Sequence, residues 1–164
     1  FGYTGAGLSI LLKNKKCSKK FGAKAKSAVF KPRCRLMFGL KNKNYFSSSM
    51  DSSDGLSTTL NEMSSQSKKK FVITTMPSEN DVFYFADSNK LNPNELILNS
   101  GEEYEIVATT KKSNLPKIKN HAKKYRIKLY EIGYVAKGRG VFYKKNGKLI
   151  RIKDKGWQHL QNHA

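Results

Sequence analysis

Residues 45–63 read YFSSSMDSSDGLSTTLNEM, and the period of their apolar positions changes halfway along. From Tyr45 to Met50 the chain suits an extended segment. Past Gly55, Leu56, Leu60 and Met63 recur at the three- and four-residue spacing of one helix face. A strand therefore passes through the turn Asp51-Ser52-Ser53-Asp54-Gly55 directly into a helix. Further along, KFVITTM (70–76) is rich in β-branched residues and stops at Pro77, which predicts a strand. Two short helices are expected over 81–89 and 93–99. A strand is expected in EEYEIVATT after Gly101, a helix whose face carries Leu115, Ile118, Ala122 and Tyr125, and another strand over 129–136. Residues 140–152, GVFYKKNGKLIRI, hold two apolar runs about Asn146-Gly147, a strong hairpin signal.

Toward the amino end, AGLSILLK (6–13) has an apolar face, and GYTGAG before it reads as a helix entry because it lacks the Lys-Ser/Thr of a P-loop. The lysine-rich stretch from Lys13 to Lys26 fits a solvated helix or a mobile loop. Pro32 in PRCRLMFGL suits the first position of a short helix. Helices and strands that alternate irregularly and finish in a hairpin predict an α+β fold, a mixed β-sheet with helices packed against it, as one domain over 1–164.

Composition narrows the function classes. The 164 residues are 38% hydrophobic, enough for a core, and the chain opens on Phe1 in what reads as the middle of something larger. No apolar run reaches the roughly 20 residues of a membrane span and no leader pattern is visible, so a soluble cytoplasmic protein is expected. Cys17 and Cys34 are too few for a disulfide scaffold and too far apart for a zinc knuckle. Lys and Arg number 32 against 12 acids, a net charge of +20 that would draw the chain toward any polyanion. KGRGVFY (137–143) partly matches an RNA-recognition submotif, with Arg139 where a stacking aromatic is wanted. A basic RNA- or DNA-binding module is therefore the alternative reading.

In a chain so poor in acids, Asp51 and Asp54 lie three apart and Glu102, Glu103 and Glu105 fall within four positions. At the start of a helix, free N–H groups attract phosphate while carboxylates hold Mg²⁺, so DSSDG could receive a metal-phosphate complex. Ser53 or Asp54 could equally serve as an ordinary helix cap. In SGEEYE, strand alternation would send Glu103 and Glu105 to one face. Trp157 could stack on an aromatic ring or close the core, and His121, His159 and His163 show no metal-ligand spacing beyond the four residues that separate the last two.

Taken in order, DSSDGL (51–56), GEEYEI (101–106), YEIGYVAKGRGV (130–141) and KGW (155–157) resemble the thiamine-monophosphate kinases of the aminoimidazole-ribonucleotide-synthetase-like superfamily. The likeness runs from Pro32 onward, and the Asp-x-Ser-Asp turn points to the thiamine branch. It implies an ATP- and Mg²⁺-dependent transfer of phosphate onto thiamine phosphate, in line and without a covalent enzyme intermediate. By resemblance Asp51 and Asp54 would ligate Mg²⁺, Ser53 would contact ATP phosphates, and Glu102 and Trp157 would contact thiamine phosphate. Glu103 stands where the family usually has Asp, which leaves open which of Glu102 and Glu103 faces the substrate. The family also carries an amino-terminal domain with further metal-binding aspartates and the main contact of a homodimer. The chain is thus expected to be the carboxyl-terminal half of a two-domain kinase, able to fold and inactive alone.

Overall fold

The computed structural model describes residues 1–156. Helices α1 (Tyr3–Lys13), α2 (Lys19–Phe30) and α3 (Leu36–Asn42) precede strand β1 (Phe46–Asp51), and helix α4 (Leu56–Ser67) follows the turn. Strand β2 (Lys70–Ile73), helices α5 (Asn80–Ser88) and α6 (Pro93–Leu98), strand β3 (Ile106–Thr110) and helix α7 (Leu115–Lys124) come next. Strands β4 (Gly133–Ala136), β5 (Gly140–Lys145) and β6 (Lys148–Arg151) finish the fold.

The α+β class with a mixed sheet is as expected, but the strands divide into two sheets. β1 and β3 pair antiparallel with Asp51 opposite Ile106, while the larger sheet runs β4-β2-β5-β6. There β2 is parallel to β5 and the other pairs are antiparallel. Leu56, Leu60 and Met63, the helical stripe read from the sequence, pack with Phe71, Ile73 and Val141 of the larger sheet and with Val107 of β3. One helix thereby ties both sheets together. A second core holds Ala6, Phe21, Ala25, Val82, Phe85 and Ile97 from α1, α2, α5 and α6, and a third joins Phe38 to Ile118 and Ala122.

The lysine-rich stretch becomes a helix because Ser18 caps it, accepting from the Phe21 N–H at 3.2 Å, and because Phe21 and Ala25 are buried. Pro32 does not open α3, which begins only at Leu36. It follows the C-cap of α2, Lys31, and so helps to end that helix, the other common place for proline. The expected strands over 70–76 and 129–136 are shorter because Thr74 and Thr75 both donate to the Ile132 carbonyl, which turns the two segments together beyond the ladder. The hairpin forms as expected, with Asn146 (φ 49°) and Gly147 (φ 79°) both in the left-handed region, as a type I′ turn requires. Both cysteines are exposed and unpaired. Among the described residues no helix is long and apolar enough to cross a membrane.

Candidate functional site

At the strand-to-helix turn Gly55 is the N-cap of α4, with φ 108° and no side chain bonded to the first-turn amides. Neither Ser53 nor Asp54 caps the helix, so the capping alternative falls. Among the described residues the Ser53 hydroxyl makes only a long contact, 3.4 Å, to the Asp54 carboxylate. Ser52 is fully buried and its hydroxyl has no partner among the described residues. Asp51 is exposed and Asp54 half-buried, and among the described residues neither forms an ion pair. In a chain of net charge +20, two aspartates three residues apart with no ion partner among the described residues stand out.

The acidic loop lies directly against this turn. The Ser52 N–H donates to the Glu105 carbonyl at 2.9 Å, the Tyr104 N–H to the Ser52 carbonyl at 3.1 Å, and the Glu102 N–H to the Ser53 carbonyl at 2.6 Å. A Cβ on Gly101 would come within 2.6 Å of the Ser53 oxygen, so this close approach depends on glycine. Two motifs fifty residues apart thus meet backbone to backbone.

The expected alternation of Glu103 and Glu105 on one face does not occur, because β3 starts only at Ile106 and the loop before it is irregular. Glu102 (φ 63°) and Tyr104 (φ 49°) adopt the left-handed region, at a cost on the order of 1 kcal/mol or more each. This twist sends the three glutamates in separate directions. Glu102 is exposed and accepts from the Tyr104 hydroxyl at 2.7 Å. Glu103 turns to the start of α1, where it accepts from the Gly2 N–H at 2.7 Å and, at 3.4 Å, from the Thr4 N–H. Glu105 takes a two-point bond from Arg35. Of the two candidates, Glu103 is committed to the start of a helix, while Glu102 is exposed.

Burial pushes the Glu103 carboxyl up, and the amino-terminal charge and the Gly2 and Thr4 amides only partly counter it; the nearby Glu105 charge adds to the rise. A carboxyl raised in the fold favours its neutral form there, so its ionisation weakens the fold as pH climbs from the ordinary carboxylate range through the raised value. Glu103→Gln keeps an oxygen for the Gly2 amide and removes that titration. Denaturant unfolding at pH 4 and pH 7 is expected to show a smaller loss of stability with rising pH in the variant, whereas equal slopes would show that Glu103 does not titrate in this window.

The segment after β6 returns to the same turn. Thr58 donates to Asp154 at 2.7 Å and the Gly156 N–H donates to the same oxygen at 3.2 Å. A Cβ at Gly156 would lie 2.2 Å from the Asp54 carbonyl oxygen, so the chain just before Trp157 rests on the DSSDG turn. Trp157, His159 and His163 themselves lie outside the described residues. His121 meets the Asn42 side chain at 2.9 Å.

A cavity of about 1170 Å³ lies elsewhere. It is walled by residues such as Phe46, Phe71, Ile106 and Val135, and it includes Glu103 and Glu105 but none of Asp51, Ser53, Asp54 and Glu102. Among the described residues the acidic turn is no part of that cavity, and its Asp51 is exposed. Among the described residues no three His, Cys, Asp or Glu side chains gather into a complete metal cage. Two hard carboxylates without cation partners among the described residues, one of them in contact with a serine hydroxyl, nonetheless fit Mg²⁺, which is commonly held by one or two carboxylates with phosphate oxygens and water.

Sequence reasoning missed Arg35. It stood as one more cation in a basic stretch, and its only signal was the presence of an acid far along the chain that needed a partner.

Fold and turn define an α+β domain in which a carboxylate-bearing strand-to-helix turn is locked to an acidic loop. The chain belongs to the family described as AIR synthase related protein, C-terminal domain, which matches residues 3–145. Within it the similarity is to thiamine-monophosphate kinases. That of Nitrosopumilus maritimus is 55% identical over 161 residues, covering 98% of this chain and 51% of that protein. That of Pyrococcus horikoshii is 33% identical over 156 residues, 94% of this chain and 46% of that protein. A solved structure of AaThiL complexed with AMPPCP and TMP superposes with a TM-score of 0.76 at 29% identity, covering 97% of this chain and 48% of that one. The chain spans about half the length of the curated relatives it matches.

Proposed function

We propose that this chain is the carboxyl-terminal half of a kinase that transfers the γ-phosphoryl group of ATP to thiamine phosphate, giving thiamine diphosphate. The observation that carries the reading is the hydrogen-bonded junction of Ser52 and Ser53 with Glu102, Tyr104 and Glu105, which gathers the kinase-like motifs at one surface. The similarity to thiamine-monophosphate kinases supports the same reading.

In this reading Asp51 and Asp54 hold Mg²⁺, and the Ser53 hydroxyl donates to a phosphate oxygen of ATP. Bound Mg²⁺ supplies charge neutralisation on the phosphates, so that an anionic acceptor can approach an anionic donor. Glu102 offsets the positive thiazolium ring of the substrate, and Trp157 offers an indole face to it. Catalysis is then positioning of two phosphates in line, with no covalent bond to the chain. The remaining ligands come from an amino-terminal half like that of the relatives, in a soluble cytoplasmic homodimer, and the 164 residues fold without catalysing alone.

The test compares ADP release in the presence of thiamine phosphate, ATP and Mg²⁺ by the 164-residue chain and by the chain fused to the amino-terminal half of a relative. Release is expected from the second only. Turnover by the 164 residues alone would overturn the half-enzyme reading, and salt-dependent RNA binding without thiamine-phosphate-dependent turnover in either would favour the nucleic-acid alternative.

A further inference from the structure

Arg35 sits immediately before α3 and reaches across to the start of β3. Its Nε donates to Glu105 Oε2 at 2.8 Å and its Nη2 to Oε1 at 2.5 Å. Both side chains are only about 30% exposed, so this is not a solvated surface pair. A planar fork on a carboxylate fixes direction as well as distance, which a lysine cannot do. Glu105 is bonded to the turn through its other end, since its carbonyl accepts from the Ser52 N–H.

The loop between Gly101 and Glu105 needs such an anchor. Two of its residues, Glu102 and Tyr104, hold left-handed backbone angles that side-chain-bearing residues avoid. They stay there because the loop is tied at both ends and in the middle: the Glu102 N–H to Ser53, the Glu103 carboxylate to Gly2, and the Glu105 carboxylate to Arg35. The last tie lies beside the Asp51–Ile106 pair at which β1 and β3 meet, where the loop leaves the sheet.

We infer that Arg35 is a positioning residue for this site: through its fork on Glu105 it holds the acidic loop against the DSSDG turn and so sets where the Glu102 carboxylate stands. Arg35 does not touch the substrate in this scheme. The inference rests on the proposed function for its effect on substrate, and on geometry alone for its effect on the loop.

The experiment therefore has two arms. In the 164-residue chain, amide hydrogen exchange is measured for Arg35→Gln, Arg35→Lys and the swapped pair Arg35→Glu with Glu105→Arg. Arg35→Gln is expected to speed exchange at Glu102 and Tyr104 about tenfold while amides of α7 keep their protection. Arg35→Lys restores little, and the swap restores most of it. In the fused kinase, Arg35→Gln is expected to raise the KM for thiamine phosphate roughly tenfold, with the KM for ATP and the Tm nearly unchanged.

Unchanged exchange at Glu102 and Tyr104 overturns the inference whatever the kinetics do, as does a uniform loss of protection across the chain. Should Arg35→Gln fail to fold, Glu105→Gln releases the same fork from the other side and is read in the same way. If the wild-type fusion does not use thiamine phosphate, the proposed function fails while the exchange arm still decides the role of Arg35.

Discussion

In the fused kinase, Asp51→Asn and Asp54→Asn are each expected to lower turnover of thiamine phosphate on the order of 100-fold or more, while the Tm is expected to move by less than about 2 °C. The size follows from what the carboxylates are proposed to hold. Removing one ligand of a cation that spreads charge over the transferring phosphates withdraws several kcal/mol at the transition state, and each 1.4 kcal/mol is about tenfold in rate. Small stability changes follow from the surroundings. Asp51 is exposed, and among the described residues neither aspartate has an ion partner or caps α4, so the fold loses little when either charge goes. Raised Mg²⁺ should recover part of the activity of each variant. If both variants melted early and kept their turnover, the carboxylates would be structural and the site would have to be sought elsewhere.

The fold was legible wherever one period dominated. Leu56, Leu60 and Met63 announced a helix and became the face that joins the two sheets, and Asn146-Gly147 announced a turn that only the left-handed region can make. The division into two sheets was not legible, because which strand ends pair depends on contacts that a one-dimensional pattern does not contain. β2 finds β5 across some seventy residues, and β1 finds β3 across more than fifty. The site followed the same rule. Asp51, Ser53, Asp54 and Glu102 could be named from motif and resemblance, and the structure places the turn and the loop together. The separate fates of Glu102, Glu103 and Glu105 could not be named. Strand alternation was the guide to where their side chains point, and two left-handed residues override it.

Arg35 shows what kind of residue such reading misses, and Glu103 what kind of contact. Each works by reaching a distant partner: Arg35 spans to Glu105, and Glu103 to the amides that open α1. Arg35 sits in no pattern of its own, and the motif that contains Glu103 gives no sign of its partner. Both brace the loop that carries Glu102, so a motif can mark the candidate site without showing which contacts hold it in shape.

Gly101→Ala is expected to damage both stability and activity through a single methyl group. The added carbon would sit 2.6 Å from the Ser53 carbonyl oxygen, with the Asp54 Cα and carbonyl carbon next at 3.6 Å. These neighbours are backbone, so no side chain can swing aside, and the 2.6 Å bond from the Glu102 N–H to Ser53 must lengthen. Overpacking of this kind costs about 1–3 kcal/mol, which lowers the Tm by roughly 2–10 °C in a chain of this size. Because the displaced atoms are the turn and the loop themselves, the KM for thiamine phosphate in the fused kinase should rise as well. Gly147→Ala supplies the contrast. Its φ of 79° is also unfavourable for alanine, but nothing lies within 4 Å of the new carbon and the hairpin is far from the turn in sequence and sheet. It should cost about 1 kcal/mol of stability and leave the kinetics alone. If both alanine variants lost stability equally and neither changed the KM, the contact between Gly101 and Ser53 would be ordinary packing, and the two motifs would not act as one site.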